Sequence, residues 1–172
     1  MDGDGNPDIL AGNFGLNSKL HASEEAPLKL YVKDFDENGS IDQLLTYTVN
    51  GREYSFLGKD ALERQLPGIK KSFLKYADFA GKTVQEIFGK QLDDARILEA
   101  RTLSSGVFKN DGHGRFSFHP FPDGAQVSPV FSFCADDVNG DGIPDIITGE
   151  NFYGVTPYEG RYDAGWGDIL LG

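Results

Sequence analysis

Asp137, Asn139, Asp141 and Asp145 set oxygen-bearing side chains at positions one, three, five and nine of a short segment, Asp-Val-Asn-Gly-Asp-Gly-Ile-Pro-Asp, with Gly142 at position six. The spacing recurs in Asp34, Asp36, Asn38 and Asp42 around Gly39. It recurs again in Asp2, Asp4 and Asp8 around Gly5, where the first position would precede Met1. Alternate carboxylates, with a backbone carbonyl from position seven (Ile143, Ser40 or Asn6), make an all-oxygen donor set. Such a set suits Ca²⁺, a hard cation that takes six to eight oxygens, far better than it suits zinc. Asp, Asn and Gly also serve plain hairpin turns, but three copies at one spacing favour a metal loop.

The residues after each loop decide the elements that must hold it. A helix–loop–helix calcium site needs a bidentate Glu at position twelve; here that position is Ala11, Leu45 or Thr148. The flanking runs Ile9-Leu10-Ala11, Gln43-Leu44-Leu45-Thr46-Tyr47 and Ile146-Ile147-Thr148 read as strands. Each loop is therefore expected to join strands of a sheet.

Around these loops, Leu28 to Phe35 alternates, placing Leu28, Leu30 and Val32 on one face and Lys29, Tyr31 and Lys33 on the other, with a partner strand over 41–49. Asn50-Gly51 predicts a tight hairpin turn into 52–57. Residues 59–95 change character. Helix formers over 59–66 end at Pro67-Gly68, and Ile69, Phe73, Tyr76 and Ala77 predict a second helix. Thr83 with Glu86 predicts a capping box opening a third. This insertion is expected to pack as an amphipathic lid on the β structure. Strands resume over 97–103, 106–109 and 115–119, with a turn at Asn110-Asp111-Gly112-His113-Gly114. Ala11-Gly12-Asn13-Phe14-Gly15 is nearly repeated by Thr148-Gly149-Glu150-Asn151-Phe152-Tyr153-Gly154, so the repeat extends past the ligands.

Composition bounds the function. The chain has 172 residues, is 39% hydrophobic, and carries a net charge of -11. That charge argues against nucleic acid and anionic membrane as partners. Three Ca²⁺ ions would offset six of those negative charges, so much of the acidity reads as metal-site charge. The lone Cys134 allows no internal disulfide and, in the run Phe131-Ser132-Phe133-Cys134-Ala135, is expected to be a buried thiol. No apolar run is long enough to span a membrane as a helix, and no signal sequence opens the chain.

Taken together, the Asp-rich loops, Pro7-Asp8-Ile9-Leu10 and Pro144-Asp145-Ile146-Ile147, Phe14-Gly15, Phe152-Tyr153-Gly154, and the hairpin Val107-Phe108-Lys109-Asn110-Asp111-Gly112-His113-Gly114-Arg115-Phe116 resemble the FG-GAP or VCBS repeat family. That family supplies the calcium-loop β-propeller blades of integrin α-chain heads and of many bacterial surface proteins. Ala11 to Asn17 with Gly160-Arg161-Tyr162-Asp163 is more closely similar to bacterial secreted VCBS proteins of the ASPIC/UnbV-associated type. The resemblance covers about four fifths of the chain and leaves out mainly 59–95.

It implies a mainly β fold, a partial β-propeller of about two to three blades with a small helical insertion, forming a single module over 1–172. It also implies calcium pinning the inter-strand loops, an extracellular, cell-surface or periplasmic setting, and a surface protein or glycan as partner. Uncovered strand edges would favour self-association. The expected role is a non-enzymatic, calcium-binding interaction module. The alternative is part of a propeller-based polysaccharide lyase or hydrolase, with Tyr158, Tyr162 and Trp166 stacking sugars. Most carboxylates that such chemistry needs already have a metal role, and His21, His113 and His119 are isolated in loop or hairpin contexts.

Overall fold

The computed structural model describes residues 3–155 and 160–172. The described chain is mainly β, with three antiparallel sheets and a few short helices. It divides into two compact units, Leu20–Thr102 and the combination of Met1–Lys19 with Leu103–Gly172.

In the first of these, β2 (Leu28–Lys33) and β3 (Asp42–Val49) form a hairpin with Lys33 opposite Asp42 at its base. A two-residue turn, Asn50 and Gly51 at φ 50 and 73, leads into β4 (Arg52–Ser55). Both central residues at positive φ make it the turn type whose twist matches antiparallel strands. Strand β5 (Arg96–Ala100) pairs with the other edge of β2, giving the order β4-β3-β2-β5.

Between β4 and β5 run α1 (Lys59–Gln65), α2 (Gly68–Ser72), α3 (Tyr76–Phe79) and α4 (Val84–Phe88). Helices this short do not hold alone in water. Burial stabilises them: Leu62, Leu66, Ile69, Val84, Phe88 and Leu92 form one core with Tyr31, Phe35 and Leu44 of the hairpin, each apolar side chain contributing about 1.5–3 kcal/mol. The capping box that opens α4 is present, with Glu86 N–H donating to Thr83 Oγ1 (3.2 Å) and Thr83 N–H to Glu86 Oε2 (2.8 Å). The expected second helix is broken in two. Asp78 accepts from Lys75 N–H at 3.1 Å and restarts the chain as α3, while Tyr76 is exposed and donates its hydroxyl to Asp60.

Burial along β2 does not follow the expected alternation: Leu28 is buried on the apolar face, and on the other face the buried residue is Tyr31. Its neighbour across the hairpin is Leu44, which is fully buried, and both lie in the helical core. Leu30 and Val32 are half-buried on the opposite face. Tyr31 can be buried because its hydroxyl reaches Glu53, which is also bonded by Lys29 (3.0 Å) and Thr46 (2.5 Å). Burial first, then the Glu53 carboxylate, holds the Tyr31 phenol above its ordinary range.

In the other unit, β1 (Ile9–Ala11), β6 (Gly106–Asn110) and β7 (Phe116–Pro120) pair in the order β1-β6-β7, and β8 (Val130–Asp136), β9 (Asp145–Glu150) and β10 (Ile169–Leu170) in the order β10-β9-β8. Val107, Phe121, Ala125 and Ile146 make their common core, flanked by Leu10, Phe133 and Leu170. Beside it Gln126, buried, takes Ser105 N–H on Oε1 (2.9 Å) and gives Nε2–H to the carbonyls of Ser105 (2.8 Å) and Phe121 (3.1 Å). Gly15, at φ 82, passes so close that a Cβ there would lie 2.6 Å from the Gln126 carbonyl oxygen. Cys134 is exposed on β8, the edge of its sheet, and is not the buried thiol expected from the apolar run.

Candidate metal centre

Each Asp-rich segment is a loop that enters a strand, and position twelve (Ala11, Leu45, Thr148) lies within β1, β3 and β9. Two of the loops close hairpins of the same form. Residues 34–41 join β2 to β3 with Lys33 opposite Asp42, and residues 137–144 join β8 to β9 with Asp136 opposite Asp145.

The backbone of each loop is held by its own acidic side chains. At position one, Asp34 accepts from Asn38 N–H (3.0 Å) and Gly39 N–H (2.7 Å), and Asp137 accepts from Asp141 N–H (3.1 Å) and Gly142 N–H (2.8 Å). At position nine, Asp42 accepts from Phe35 N–H and Asp145 from Val138 N–H, each at 3.0 Å. The residue at position seven donates its N–H to the side chain at position five at 2.8 Å in all three loops: Asn6 to Asp4, Ser40 to Asn38, and Ile143 to Asp141. The second and third loops thus share one hydrogen-bonding frame, and the first shares its bond from position seven to position five.

Backbone conformation repeats too. Position six is Gly5, Gly39 or Gly142 at φ 85, 89 and 87, and position four is Gly3, Glu37 or Gly140 at φ 73, 57 and 80. Open space surrounds each of these glycines, so the left-handed backbone is what requires them. Glu37 takes that conformation as a non-glycine residue.

The second loop brings its acids together most closely. One carboxylate oxygen from each of Asp34, Asp36 and Asp42 lies within 4.8 Å of the other two, and no other such acidic group occurs among the described residues. Two oxygens on one calcium ion at about 2.4 Å can be no farther apart than about 4.8 Å, so the group matches a shared ion. Asp42 is buried and Asp36 exposed, which leaves the cluster open on one side. Lys33, next in sequence, turns to Asp94 (2.5 Å). Asn38 and Ser40 complete the sequence-derived set at positions five and seven, and both are exposed.

In the third loop Asp145 is fully buried, and its second oxygen accepts from Gly172 N–H at 2.9 Å. Asn139 occupies position three and donates its amide to Asp141 (2.9 Å), so the single amide of this loop stands at position three, where the second loop has it at position five. Backbone N–H donors, that of Gly142 foremost, hold the Asp137 carboxyl below its ordinary range. Ile143 is exposed at position seven.

In the first loop both Asp4 oxygens accept from Asn6, and Asp8 accepts from Asn110 N–H (3.0 Å). Asp2 lies outside the described residues. Asn110 also donates its amide to the Pro7 carbonyl (3.2 Å), so the β6–β7 turn rests on this loop. The turn residues announced the hairpin, but nothing in their spacing announced that contact.

Residues 130–165, spanning β8, the third loop, β9 and the Asn151-Phe152-Tyr153-Gly154 segment, match the FG-GAP repeat family. That one segment of the chain is similar to an FG-GAP repeat. The first and second loops lie outside the matched residues, and the second shares the frame of the loop within them. Neither the curated proteins nor the solved structures include a match to this chain.

Within the matched segment lies Tyr162, one of the aromatic residues expected to stack sugars. Tyr162 is buried, bridging Phe152 and meeting Phe14 edge-to-face with ring centroids 4.7 Å apart. It therefore fills the interior and offers no open face. Trp166 is fully exposed, and Tyr158 lies outside the described residues. His21, His113 and His119 are exposed. Among the described residues no helix is long and apolar enough to cross a membrane.

Proposed function

We propose that this chain is a calcium-stabilised, non-enzymatic interaction module of an extracytoplasmic protein, its three sheets being blade-like parts of a partial β-propeller. The observation that carries the reading is the approach of Asp34, Asp36 and Asp42 to within 4.8 Å on a frame of backbone hydrogen bonds repeated in the third loop and shared in one bond by the first. The donor chemistry fits the ion: carboxylate and amide oxygens with no thiol or imidazole among them. When bound, calcium would neutralise the converging acids and tie the β2–β3 hairpin at its loop end. Asp34, Asp36, Asn38 and Asp42, with the Ser40 carbonyl, would hold it there. Asp137, Asn139, Asp141, Asp145 and the Ile143 carbonyl would do the same for β8–β9, and Asp2, Asp4, Asp8 and Asn6 for the first loop.

Affinity on the order of 10⁻⁴ to 10⁻³ M, usual for extracellular calcium modules, suits a site filled outside cells. A surface protein or glycan is the proposed partner class, and uncovered strand edges such as β8 suit association with further copies. Titration calorimetry with Ca²⁺ and Mg²⁺ tests the metal reading. Saturable, calcium-preferring heat that falls on Asp42→Asn supports it, and the absence of calcium heat at millimolar concentrations overturns it.

A further inference from the structure

Beyond the calcium loops, the segment 165–170 is fastened to β9 by an unusual set of contacts. Thr148 N–H donates to the Asp168 carbonyl (3.0 Å), Asp168 N–H donates to Thr148 Oγ1 (2.8 Å), and the Thr148 hydroxyl donates to Glu150 Oε1 (2.5 Å). Asn151 adds two bonds to Gly165, Nδ2–H to its carbonyl (2.9 Å) and Oδ1 from its N–H (3.0 Å). Gly165 is pressed so tightly on the Glu150 side chain that a Cβ there would lie 1.8 Å from Oε2.

Inside this junction Glu150 Oε2 and Asp168 Oδ2 are shut off from solvent with no hydrogen-bond donor facing either, and the two carboxyl groups are within hydrogen-bonding reach of each other. Buried polar atoms without partners are rare and need a reason. Two ionised carboxylates in contact repel; one proton between them turns the same geometry into a short, charge-assisted hydrogen bond. We propose that Glu150 and Asp168 share a single proton, forming a carboxyl–carboxylate hydrogen bond that latches residues 165–170 onto β9, and that loss of this proton loosens β10.

Asp168 is the charged group acting on Glu150. Val130 and Ser132 of β8, opposite Glu150 and Gly149, and Thr148, Asn151 and Gly165 are uncharged. Burial first, offset in part by the Thr148 bond, and then the Asp168 charge hold the Glu150 carboxyl above its ordinary value of 4.5. For a folded-state value raised in this way, the latch is complete below the ordinary value and is lost as pH rises through the raised one. Its pH dependence is opposite in sign to that of a calcium loop, whose carboxylates must be ionised to bind.

Amide hydrogen exchange at Thr148 and Asp168, corrected for the intrinsic rate and followed from pH 4.5 to 8, reads the latch directly. In the natural chain the opening equilibrium should rise by up to about tenfold per pH unit above 4.5, until the raised value is passed. Glu150→Gln, whose amide donates to Asp168 without a titrating proton, should give a flat profile; Asp168→Asn should do the same from the other side. A flat profile in the natural chain, or an equal slope in both variants, overturns the proposal. The series is run in 10 mM CaCl₂ and in EDTA. An unchanged slope supports a shared proton, whereas a slope abolished by calcium means that a divalent ion bridges the pair and overturns it.

Discussion

Replacing Asp42 with Asn separates an ion-binding carboxylate from a merely structural one, because the two roles predict opposite signs in calcium and in chelator. Asp42 is buried, accepts from Phe35 N–H at 3.0 Å and lies within 4.8 Å of Asp34 and Asp36 oxygens. At that separation each like-charge pair costs about 0.9 kcal/mol at the dielectric of water, so removing the Asp42 charge relieves about 2 kcal/mol in the ion-free protein. Asn keeps an acceptor for Phe35 N–H but exchanges a charge-assisted bond for a neutral one, a loss of about 1 kcal/mol. The variant should therefore be about 1 kcal/mol more stable than the natural chain in EDTA. In 10 mM calcium the natural chain gains about 1.4–2.7 kcal/mol for a site of 10⁻³ to 10⁻⁴ M. At 2–4 °C per kcal/mol for a chain of this size, that is a rise of about 3–11 °C in melting temperature, and the variant should lose most of it. Thermal melts of both proteins by circular dichroism in calcium and in EDTA show whether the order of stability inverts. A natural chain with the same melting temperature in both buffers, or a variant equally weakened in both, refutes the argument.

Four further outcomes follow from the same structure. Gly142→Ala has room for its methyl but stands at φ 87, so it should cost about 1–2 kcal/mol from backbone strain alone, and Glu37→Gly, at φ 57, should be neutral or stabilising by up to about 1 kcal/mol; urea melts measure both. Gln126→Leu leaves Ser105 N–H and two carbonyls without their partner and should cost about 2–4 kcal/mol by the same assay; a loss under about 1 kcal/mol contradicts the network. The Thr83 N–H and hydroxyl hold the Glu86 carboxyl down to about 2. A depressed value means that the α4 cap is complete above the ordinary Glu range and is lost as pH falls toward 2. Glu86→Gln should remove that acid dependence from the exchange of the Thr83 amide.

What the sequence made legible was local. Ligand spacing and the glycines at position six are set within nine residues, so the loops and the strands after them could be read directly. The Thr83–Glu86 cap and the Asn50-Gly51 turn were legible for the same reason. Contacts made across long stretches of chain were not. Asp8 meets Asn110 across a hundred intervening residues, and Gln126 meets Ser105 and Gly15 only after the sheets have formed. The alternation in β2 marked Leu28 for burial but not Tyr31, which shares its face with Lys29 and Lys33. Tyr31 is buried because helices arriving from residues 62–92 cover its side and Glu53 takes its hydroxyl. Cys134 was misjudged because an apolar run does not say which strand ends up at a sheet edge.

In the second and third loops, the bonds from position one and position nine back to the loop's own amides would have a consequence for the kinetics of the proposed calcium binding. A segment already shaped by its own side chains has little ordering left to do when an ion arrives, so capture should be set by stripping water from the metal and not by rearrangement of the chain. A loop of this kind would hold its surroundings steady as the ion concentration drifts and act as ballast, unlike sensors that convert calcium into a change of shape.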